Sequence, residues 1–211
     1  MPNASHPPLV LASASPRRRE LLARAGVRFE VVPSGVVEEP RPGEAPRNLV
    51  LRLACEKALD VARRLPASPR RVVLGADTIV VLEDAVLGKP ADRDEAVAML
   101  RRLVGRTHRV LTAVAVVATD RLEPCSVCVE STVVMRGAAE AELRAYVATG
   151  EPLDKAGAYA AQGEGRRFVK RIDGSETNVI GLPVEETLGL LRRVETEPVG
   201  AGVAHPRETS S

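Results

Sequence analysis

Several short segments of the chain combine residue types that could bind the phosphates of a nucleotide. In SASPRRRELL, Ser13 and Ser15 stand where a short apolar run ends and a helix pattern begins. Free backbone N–H groups at a helix N-terminus bind phosphate, and guanidinium groups match phosphate oxygens. Arg17, Arg18 and Arg19 lie there although the helix macrodipole disfavours cations, which a bound anion would explain. The alternative is an ordinary capped helix whose arginines are solvated.

Carboxylates occur at two places where a metal ion could be held. Asp77 lies in GADTIVV, within an apolar run, and a buried carboxylate needs a cation, a metal or a cleft beside it. Alternatively, Gly75 forms a turn and Asp77 is a turn residue. Thr78 offers a hydroxyl to the same space. Glu38 and Glu39 lie in a Pro/Gly-rich loop, where glutamates usually face solvent. An Asp and a Glu with open water positions suit Mg²⁺ bound together with substrate phosphates.

Two lysines and a long loop complete the candidate residues. Lys57 interrupts the apolar row of a helix pattern, where it either faces a site or snorkels with its amine in water. Lys89 lies in LGKP, between a strand and a helix. The segment 151–183 is a loop rich in Gly and polar side chains, and loops of this length are usually functional or disordered. Tyr159, Phe168 and the closing VIGLP favour an ordered loop. Together the segments predict a site for a nucleoside triphosphate.

Alternating strand and helix patterns must position these residues. Strands are predicted over 9–12, 28–33, 72–82, 108–119 and 125–135, and helices over 16–25, 46–65, 92–105, 139–150 and 184–194. Helical spacing predicts a buried face of the second helix made of Leu51, Ala54, Cys55, Ala58, Ala62 and Leu65. The order favours one α/β domain over 1–195, with a disordered tail over 196–211.

Composition excludes several classes of protein. The chain has 211 residues and 45% hydrophobic content, enough for a sizeable core. A net charge of +2 and an aromatic content of 2% argue against nucleic-acid binding. No apolar stretch approaches the roughly 20 residues of a membrane span. Cys55, Cys125 and Cys128 fit a reducing cytoplasm, and the single CxxC lacks further zinc ligands. We therefore expect a cytoplasmic protein that binds neither nucleic acid nor membrane.

Six ordered segments resemble the signature segments of the Maf family of nucleotide pyrophosphatases, once described as septum-formation inhibitors. They are LASASPRRRELL, RLACEKA, GADTIVVLEDAVLGKP, GRTHRVLTAVAV, EPLDKAGAYAAQG and IDGSETNVIGLP. The resemblance covers about residues 9–192. It implies a fold similar to that of inosine-triphosphate pyrophosphatases, which is an elongated, mixed-sheet, two-lobed α/β fold with a central cleft. It also implies a homodimer that hydrolyses nucleoside triphosphates to the monophosphate and pyrophosphate with a divalent metal, Mg²⁺ or Mn²⁺.

The resemblance assigns roles to individual residues. It implies that Asp77 is the catalytic carboxylate and that Asp77 and Glu38 hold the metal. The substrate phosphates would contact Ser13, Arg18, Lys57 and Lys89. Many members have an Asp-Glu pair where this chain has Val37 and Glu38, so one potential carboxylate is missing. The mechanism implied is in-line attack of water on the α-phosphorus, with Asp77 orienting or deprotonating the water.

Three positions are thought to set base preference in this family, and here they are Arg17, Thr78 and Gln162. This combination resembles the branch that acts on dTTP, UTP and modified uridine triphosphates. The branch acting on 7-methyl-GTP tends to have Trp, Gln and Glu instead. One glutamine amide can pair with both a carbonyl and the N3–H of uracil or thymine. The alternatives are a 7-methyl-GTP-type pyrophosphatase and a non-catalytic nucleotide-binding regulator of cell division.

Overall fold

A mixed seven-stranded sheet forms the centre of the fold. The computed structural model describes residues 9–196, and its strands are β1 (Leu9–Leu11), β2 (Phe29–Val31), β3 (Val72–Leu82), β4 (Ala85–Leu87), β5 (Thr107–Ala118), β6 (Cys125–Met135) and β7 (Val169–Asp173). The order is β2-β1-β3-β5-β6-β7, with β4 also beside β3. β1 is parallel to β2 and β3, and the other pairs are antiparallel. The expected mixed-sheet α/β fold is confirmed.

The described residues form six α-helices, and the capping residues set where several of them begin. They are α1 (Pro16–Arg24), α2 (Pro46–Arg64), α3 (Arg93–Leu103), α4 (Glu140–Ala148), α5 (Glu176–Ile180) and α6 (Val184–Thr196). Ser15 caps α1, and Asp92 caps α3 by accepting a hydrogen bond from Glu95 N at 2.8 Å. None of these helices is long and apolar enough to cross a membrane. Residues 197–211, nearly all of the predicted tail, lie outside the described residues.

The long segment after α4 is ordered into short elements that the sequence pattern did not reveal. It contains 3₁₀ turns at Glu151–Asp154, Ala156–Ala158 and Gly163–Phe168, followed by β7 and α5. None of these elements exceeds six residues, so none fills the window of about 11–18 residues in which a helical hydrophobic pattern is recognised. The prediction that 151–183 is a loop is therefore wrong for the residues in these elements, whereas the prediction that the segment is ordered is confirmed. β5 and β6 pair as an antiparallel hairpin.

One edge of β3 is interrupted at its middle. β5 pairs with β3 from Val72 to Val81 on one edge. On the other edge β1 pairs as far as Leu74, and β4 pairs only from Val80 onward. Among the described residues, no strand covers 75–79 on that edge. The apolar packing parts at the same place, because Leu74 belongs to the cluster with α1 and α6, and Val80 to the cluster with α3 and α4.

α2 covers the face of the sheet opposite to α1, α3, α4 and α6. The row of α2 residues that faces the sheet, its inner row, differs from the predicted one. Its buried residues are Leu49, Val50, Leu53, Ala54, Lys57, Ala58, Val61 and Ala62. Leu51, Cys55 and Leu65 are only half-buried, so the predicted face is partly wrong. The reason is that α2 has two adjacent apolar rows, and the row interrupted by Lys57 is the one that turns toward β3.

Candidate active site

A cleft of about 710 Å³ opens at the interrupted edge of β3. Every residue to which the sequence analysis assigned a role lines this cleft, namely Ser13, Arg17, Arg18, Glu38, Lys57, Asp77, Thr78, Lys89 and Gln162. They come from the connection between β1 and α1, the first turn of α1, the loop before α2, α2 itself, β3, the segment after β4, and the segment after α4. The fold therefore brings together side chains that are up to 149 residues apart in the sequence, from Ser13 to Gln162.

Lys57 joins the two candidate carboxylates. Its Nζ donates to Asp77 Oδ1 at 2.6 Å and to Glu38 Oε1 at 2.6 Å. Lys57 and Asp77 are 6% and 4% exposed, so the ammonium does not snorkel into water. Lys89, which is exposed, donates to the other oxygen of Glu38 at 3.3 Å. The charges of two cations and two anions thus compensate one another, and an incoming anion can replace a carboxylate as the partner of the lysines.

The two carboxylates differ in how readily they carry a proton. Burial raises the pKa of Asp77 above its usual value although the Lys57 ammonium acts in the opposite direction. Burial also acts to raise the pKa of Glu38, but Lys57 and Lys89 outweigh it and hold that pKa below its usual range. Environments that separate the pKa values of neighbouring acids are typical of catalytic sites. Asp77 is therefore the carboxylate better suited to accept a proton.

Arg18 is fixed across the cleft by three acceptors. Its Nε donates to the carbonyl of Gly181 at 2.9 Å, and its two terminal nitrogens donate to Ser13 Oγ and Thr78 Oγ1, each at 3.1 Å. These contacts connect α1 with the end of α5 and with the middle of β3. Because a guanidinium has five N–H donors, Arg18 keeps donors for a phosphate while it is held. Arg19, by contrast, is exposed.

Arg17 and Thr78 lie on different walls of the cleft. Arg17 donates to Asp154 Oδ2 at 3.2 Å, which joins α1 to the first 3₁₀ turn. Thr78 lies on the opposite face of β3 from Asp77, because successive strand residues alternate. Its hydroxyl bonds to Arg18 and, at 3.0 Å, to Thr112 Oγ1. Both β3 side chains reach the cleft because the strand edge between the two faces is open.

Gln162 belongs to a segment that is fixed by hydrogen bonds of two tyrosine hydroxyls. Its side chain is half-buried and makes no hydrogen bond to other residues in the described part of the chain. The Tyr159 hydroxyl lies 2.8 Å from His108 Nε2, and the Ala160 N–H donates to the Tyr146 hydroxyl at 3.1 Å. The Gln162 amide is therefore free to bind a ligand while the backbone behind it is fixed.

Sequence reasoning missed several groups that complete the site. The Gly181 carbonyl, the Thr112 hydroxyl and the Asp154 carboxylate each bind a residue that the sequence had singled out. Any residue type can supply a carbonyl, and Thr or Asp in these positions shows no periodicity. The rarity of tyrosine, with two in the chain, is a signal by which Tyr146 and Tyr159 could have been found.

The carboxylate pair fits a hard divalent cation that is shared with a substrate. Oxygens of Glu38 and Asp77 face one point, since each lies 2.6 Å from the same nitrogen. Glu39 is exposed, and its carbonyl accepts from Arg52 instead. Within residues 9–196 no group of three or more His, Cys, Asp or Glu side chains is arranged to hold a metal. Mg²⁺ is usually bound by one or two carboxylates together with phosphates and water, and this donor set matches that description.

Comparison with known proteins agrees with the resemblance in sequence. A family model described as "Maf-like protein" matches residues 8–194. The chain is 51% identical over 186 residues to a dTTP/UTP pyrophosphatase of Geobacter sulfurreducens, covering 88% of this chain and 96% of that protein. It is 51% identical over 200 residues to the dTTP/UTP pyrophosphatase of Burkholderia pseudomallei strain 1710b, covering 89% and 94%. For the protein of the same name in Anaeromyxobacter dehalogenans strain 2CP-1 the identity is 52% over 189 residues, covering 89% and 94%.

Proposed function

Because the chain belongs to the family of Maf-like proteins, we propose that it is a nucleoside triphosphate pyrophosphatase that hydrolyses dTTP and UTP. The products are the monophosphate and pyrophosphate, and modified uridine triphosphates are further candidate substrates. One observation carries this proposal. A buried carboxylate, Asp77, shares a cleft with five cationic side chains and with a glutamine amide that makes no hydrogen bond in the described part of the chain. Such a cleft offers separate groups for the phosphates, the reacting water and the base.

The cations bind the triphosphate. Arg18 receives phosphate oxygens with the N–H groups that Ser13, Thr78 and Gly181 leave free. Lys57 and Lys89 exchange their contacts with Glu38 for contacts with phosphate, which leaves Glu38 as a carboxylate ligand. Positioning and electrostatic stabilisation dominate phosphoryl transfer, so fixed cations around the leaving pyrophosphate lower the barrier.

Asp77 acts on the water. A water oxygen attacks the α-phosphorus in line, and the bond from that phosphorus to the oxygen bridging the β-phosphorus breaks. Asp77 orients this water or takes its proton, for which its raised pKa and its position on the rigid strand β3 suit it. The pyrophosphate leaves with the electron pair of the broken bond, next to Lys57 and Lys89.

We propose that Glu38 and Asp77 hold a divalent metal, Mg²⁺ or Mn²⁺, together with oxygens of the substrate. When bound, such an ion supplies charge neutralisation at the phosphates. The base is selected by other residues of the cleft. Gln162 presents a donor and an acceptor to uracil or thymine, while Arg17 and Thr78 contribute to base preference from different walls.

The activity is tested by pyrophosphate release from dTTP, UTP, CTP, GTP, ATP and 7-methyl-GTP in the presence of Mg²⁺. We expect the highest kcat/KM for dTTP and UTP. A preference for 7-methyl-GTP would assign the chain to the other branch. Binding of dTTP without turnover would favour a regulatory nucleotide-binding protein and would contradict the proposal.

The role of Asp77 is tested by Asp77→Asn. We expect turnover of dTTP at saturating Mg²⁺ to fall by about 100-fold or more, because an amide neither accepts a proton nor carries the charge of a ligand. The matched control is Asp84→Asn, at an exposed turn after β3, which leaves turnover unchanged. Near-wild-type turnover by Asp77→Asn would contradict the assignment.

We also propose that the chain acts as a single-domain homodimer in the cytoplasm, with no nucleic acid bound. The family match runs without interruption over residues 8–194, which supports one domain. Cys55, Cys125 and Cys128 are free, which is compatible with a reducing compartment. Light scattering of the purified protein tests the dimer.

A further inference from the structure

The loop between β2 and α2, residues 32–45, lies along α2 and is bound to it at several places, two of which flank Glu38. Near its start, Gly35 N donates to Asp60 Oδ2 at 3.0 Å. Toward its end, Arg52 binds the loop through several hydrogen bonds. Arg52 and Asp60 are eight residues apart, so they lie on one side of the helix, two turns from each other. The loop therefore runs antiparallel to α2 before the chain turns into the helix.

Arg52 is the stronger of the two attachments. Its Nε and one terminal nitrogen donate to the two oxygens of Glu44, both at 2.6 Å, and the same terminal nitrogen donates to the carbonyl of Glu39 at 3.0 Å. The other terminal nitrogen donates to Glu56 at 3.0 Å. The Arg52 and Glu44 side chains are 15% and 10% exposed. Arg52 holds the pKa of Glu44 at about 2, as expected for a bidentate pair.

Glu38 lies between the two attachments and directly precedes a residue that Arg52 binds. Its side chain extends to Lys57, which lies on the inner row of α2, five residues after Arg52. Val36, Val37 and Glu38 belong to no helix or strand, so local structure alone does not fix the position of this carboxylate. The fixed point nearest to Glu38 in the chain is the Glu39 carbonyl, which Arg52 holds. Gly35 on Asp60 and Arg41 on Glu56 are each three residues away, and Arg52 also holds the Glu44 carboxylate.

We propose that Arg52, through Glu44 and the Glu39 carbonyl, is a positioning residue that sets the Glu38 carboxylate over Lys57 and Asp77. Arg52 does not line the cleft and touches no substrate, so its effect on hydrolysis passes through Glu38. The proposal rests on the function proposed above, in which Glu38 is a metal ligand. Supporting groups around a metal ligand typically change metal affinity or activity by about 10- to 100-fold when they are removed.

A purely structural role is the alternative. α2 begins after Ala45, which offers no side-chain cap, and Glu44 stands beside this uncapped helix start. The Arg52–Glu44 pair would then stabilise the helix and nothing more. The two explanations differ in coupling: a positioning role requires Arg52 and Glu38 to act on the same step, whereas a structural role does not.

The experiment is a double-mutant cycle of Arg52→Lys and Glu38→Gln, followed by hydrolysis of dTTP at varied Mg²⁺. Lysine keeps the charge of Arg52 but cannot make the bidentate contact. We expect Arg52→Lys to lower kcat/KM by about 10-fold or more and to raise the half-saturating Mg²⁺ concentration. In the Glu38→Gln background the same change has an effect of about twofold or less. Glu44→Gln, a milder change, gives the same pattern if Arg52→Lys unfolds the protein.

The matched control is Arg101→Lys, which breaks a bidentate Arg–Glu pair between α3 and α4, outside the cleft. It leaves kcat/KM unchanged. Full additivity in the cycle, or a wild-type Mg²⁺ dependence of Arg52→Lys, would overturn the proposal. Hydrogen exchange provides a readout that does not depend on activity. If Arg52 positions the loop, Arg52→Lys accelerates exchange of the loop amides around Glu38. If the wild-type protein hydrolyses neither dTTP nor UTP, the proposed function fails. Independently of that result, an unchanged rate of amide exchange in Arg52→Lys would overturn the positioning role.

Discussion

Lys57 illustrates how one residue decides the chemistry of the cleft. A buried lysine is costly unless it is paired, and here two carboxylate oxygens lie 2.6 Å from its nitrogen. Removing one member of such a buried pair typically costs about 3–5 kcal/mol, because the partner charge is left uncompensated. A nucleoside triphosphate brings several negative charges to the same point. The arrangement is therefore stable without a ligand and still offers a cation to one.

The amide of Gln162, the only glutamine of the chain, leads to a prediction about base preference. Gln162→Glu replaces a group that donates and accepts by one that only accepts. A carboxylate repels the carbonyl oxygens of uracil and thymine, whereas guanine presents two N–H donors to it. We expect kcat/KM for dTTP and UTP to fall by about 10-fold or more relative to 7-methyl-GTP and GTP. The measurement is pyrophosphate release from these four nucleotides.

Gln162→Met separates this effect from a loss of packing. Methionine has the same length but no polar group at its end, so it weakens the reaction of pyrimidine nucleotides without favouring guanine. A Gln162→Glu protein that keeps the wild-type order of substrates would contradict a role of Gln162 in reading the base.

Some site residues are predictable from sequence, and others are not, for a physical reason. Asp77 is predictable because an acid within an apolar strand needs a partner, and Arg17 and Arg18 because cations at a helix start need an anion. The partners of Arg18 are not predictable, since one is a backbone carbonyl 163 residues away. Such a long-range hydrogen bond depends on how the elements pack against each other, and the local sequence pattern does not predict it.

At the scale of elements, the position of α2 on β3 determines whether Lys57 reaches Asp77. The limits of both elements follow from hydrophobic pattern and from Pro46, but the rotation of α2 does not, because two of its rows are apolar. The rotation is fixed by contact. A Cβ on Gly75 would lie 2.4 Å from the carbonyl oxygen of Ala54 and 2.6 Å from the nitrogen of Ala58. Gly75 is therefore a strand residue whose missing side chain lets the backbone of α2 approach β3 closely. The alternative of a turn at this position is wrong.

Gly75→Ala tests this close approach. The added methyl group meets the backbone of α2, which cannot move aside as a flexible side chain could, so the helix must shift away from β3. We expect a loss of about 3 kcal/mol in the free energy of unfolding and a Tm lower by roughly 10 °C. Hydrolysis of dTTP falls as well, because the Lys57–Asp77 contact lengthens. Calorimetry and the pyrophosphate assay measure the two effects.

Gly137→Ala is the matched control, since a Cβ at Gly137 meets no atom within 4 Å and its φ is not positive. We expect it to leave Tm and turnover unchanged. Equal Tm values for Gly75→Ala and the wild-type protein would show that α2 adjusts without cost.

At the scale of the whole molecule, the cleft exists because the apolar packing is divided. Three clusters of buried side chains surround the sheet, and β3 contributes to all of them. Between the clusters, the strand carries Asp77 and Thr78 where its edge has no neighbouring strand in the described residues. A net charge of +2 gives the surface no strong field of its own, so attraction for a nucleotide comes from cations inside the cleft.

The stability of the whole molecule should depend on pH through His108, the one histidine in the part of the chain that the structure describes. His108 is 2% exposed, and its Nδ1 has no hydrogen-bond partner there. Burial lowers the pKa of His108 to about 4, against a value near 6.5 in the unfolded chain. Between these two pH values the unfolded chain binds more protons than the folded one. Stability is therefore highest above pH 6.5 and falls as the pH drops toward 4.

We expect His108 to reduce the free energy of unfolding by about 2 kcal/mol between pH 7.5 and pH 5, a range above most carboxylate titrations. Urea denaturation at intervals across this range measures it. His108→Gln keeps a partner for the Tyr159 hydroxyl but does not titrate, so its stability should change less with pH. Asp77 acts in the opposite direction, because its raised pKa makes protonation favour the folded state. Only the difference between the two proteins isolates His108, and parallel pH dependences would mean that the imidazole is protonated or solvated in the folded molecule.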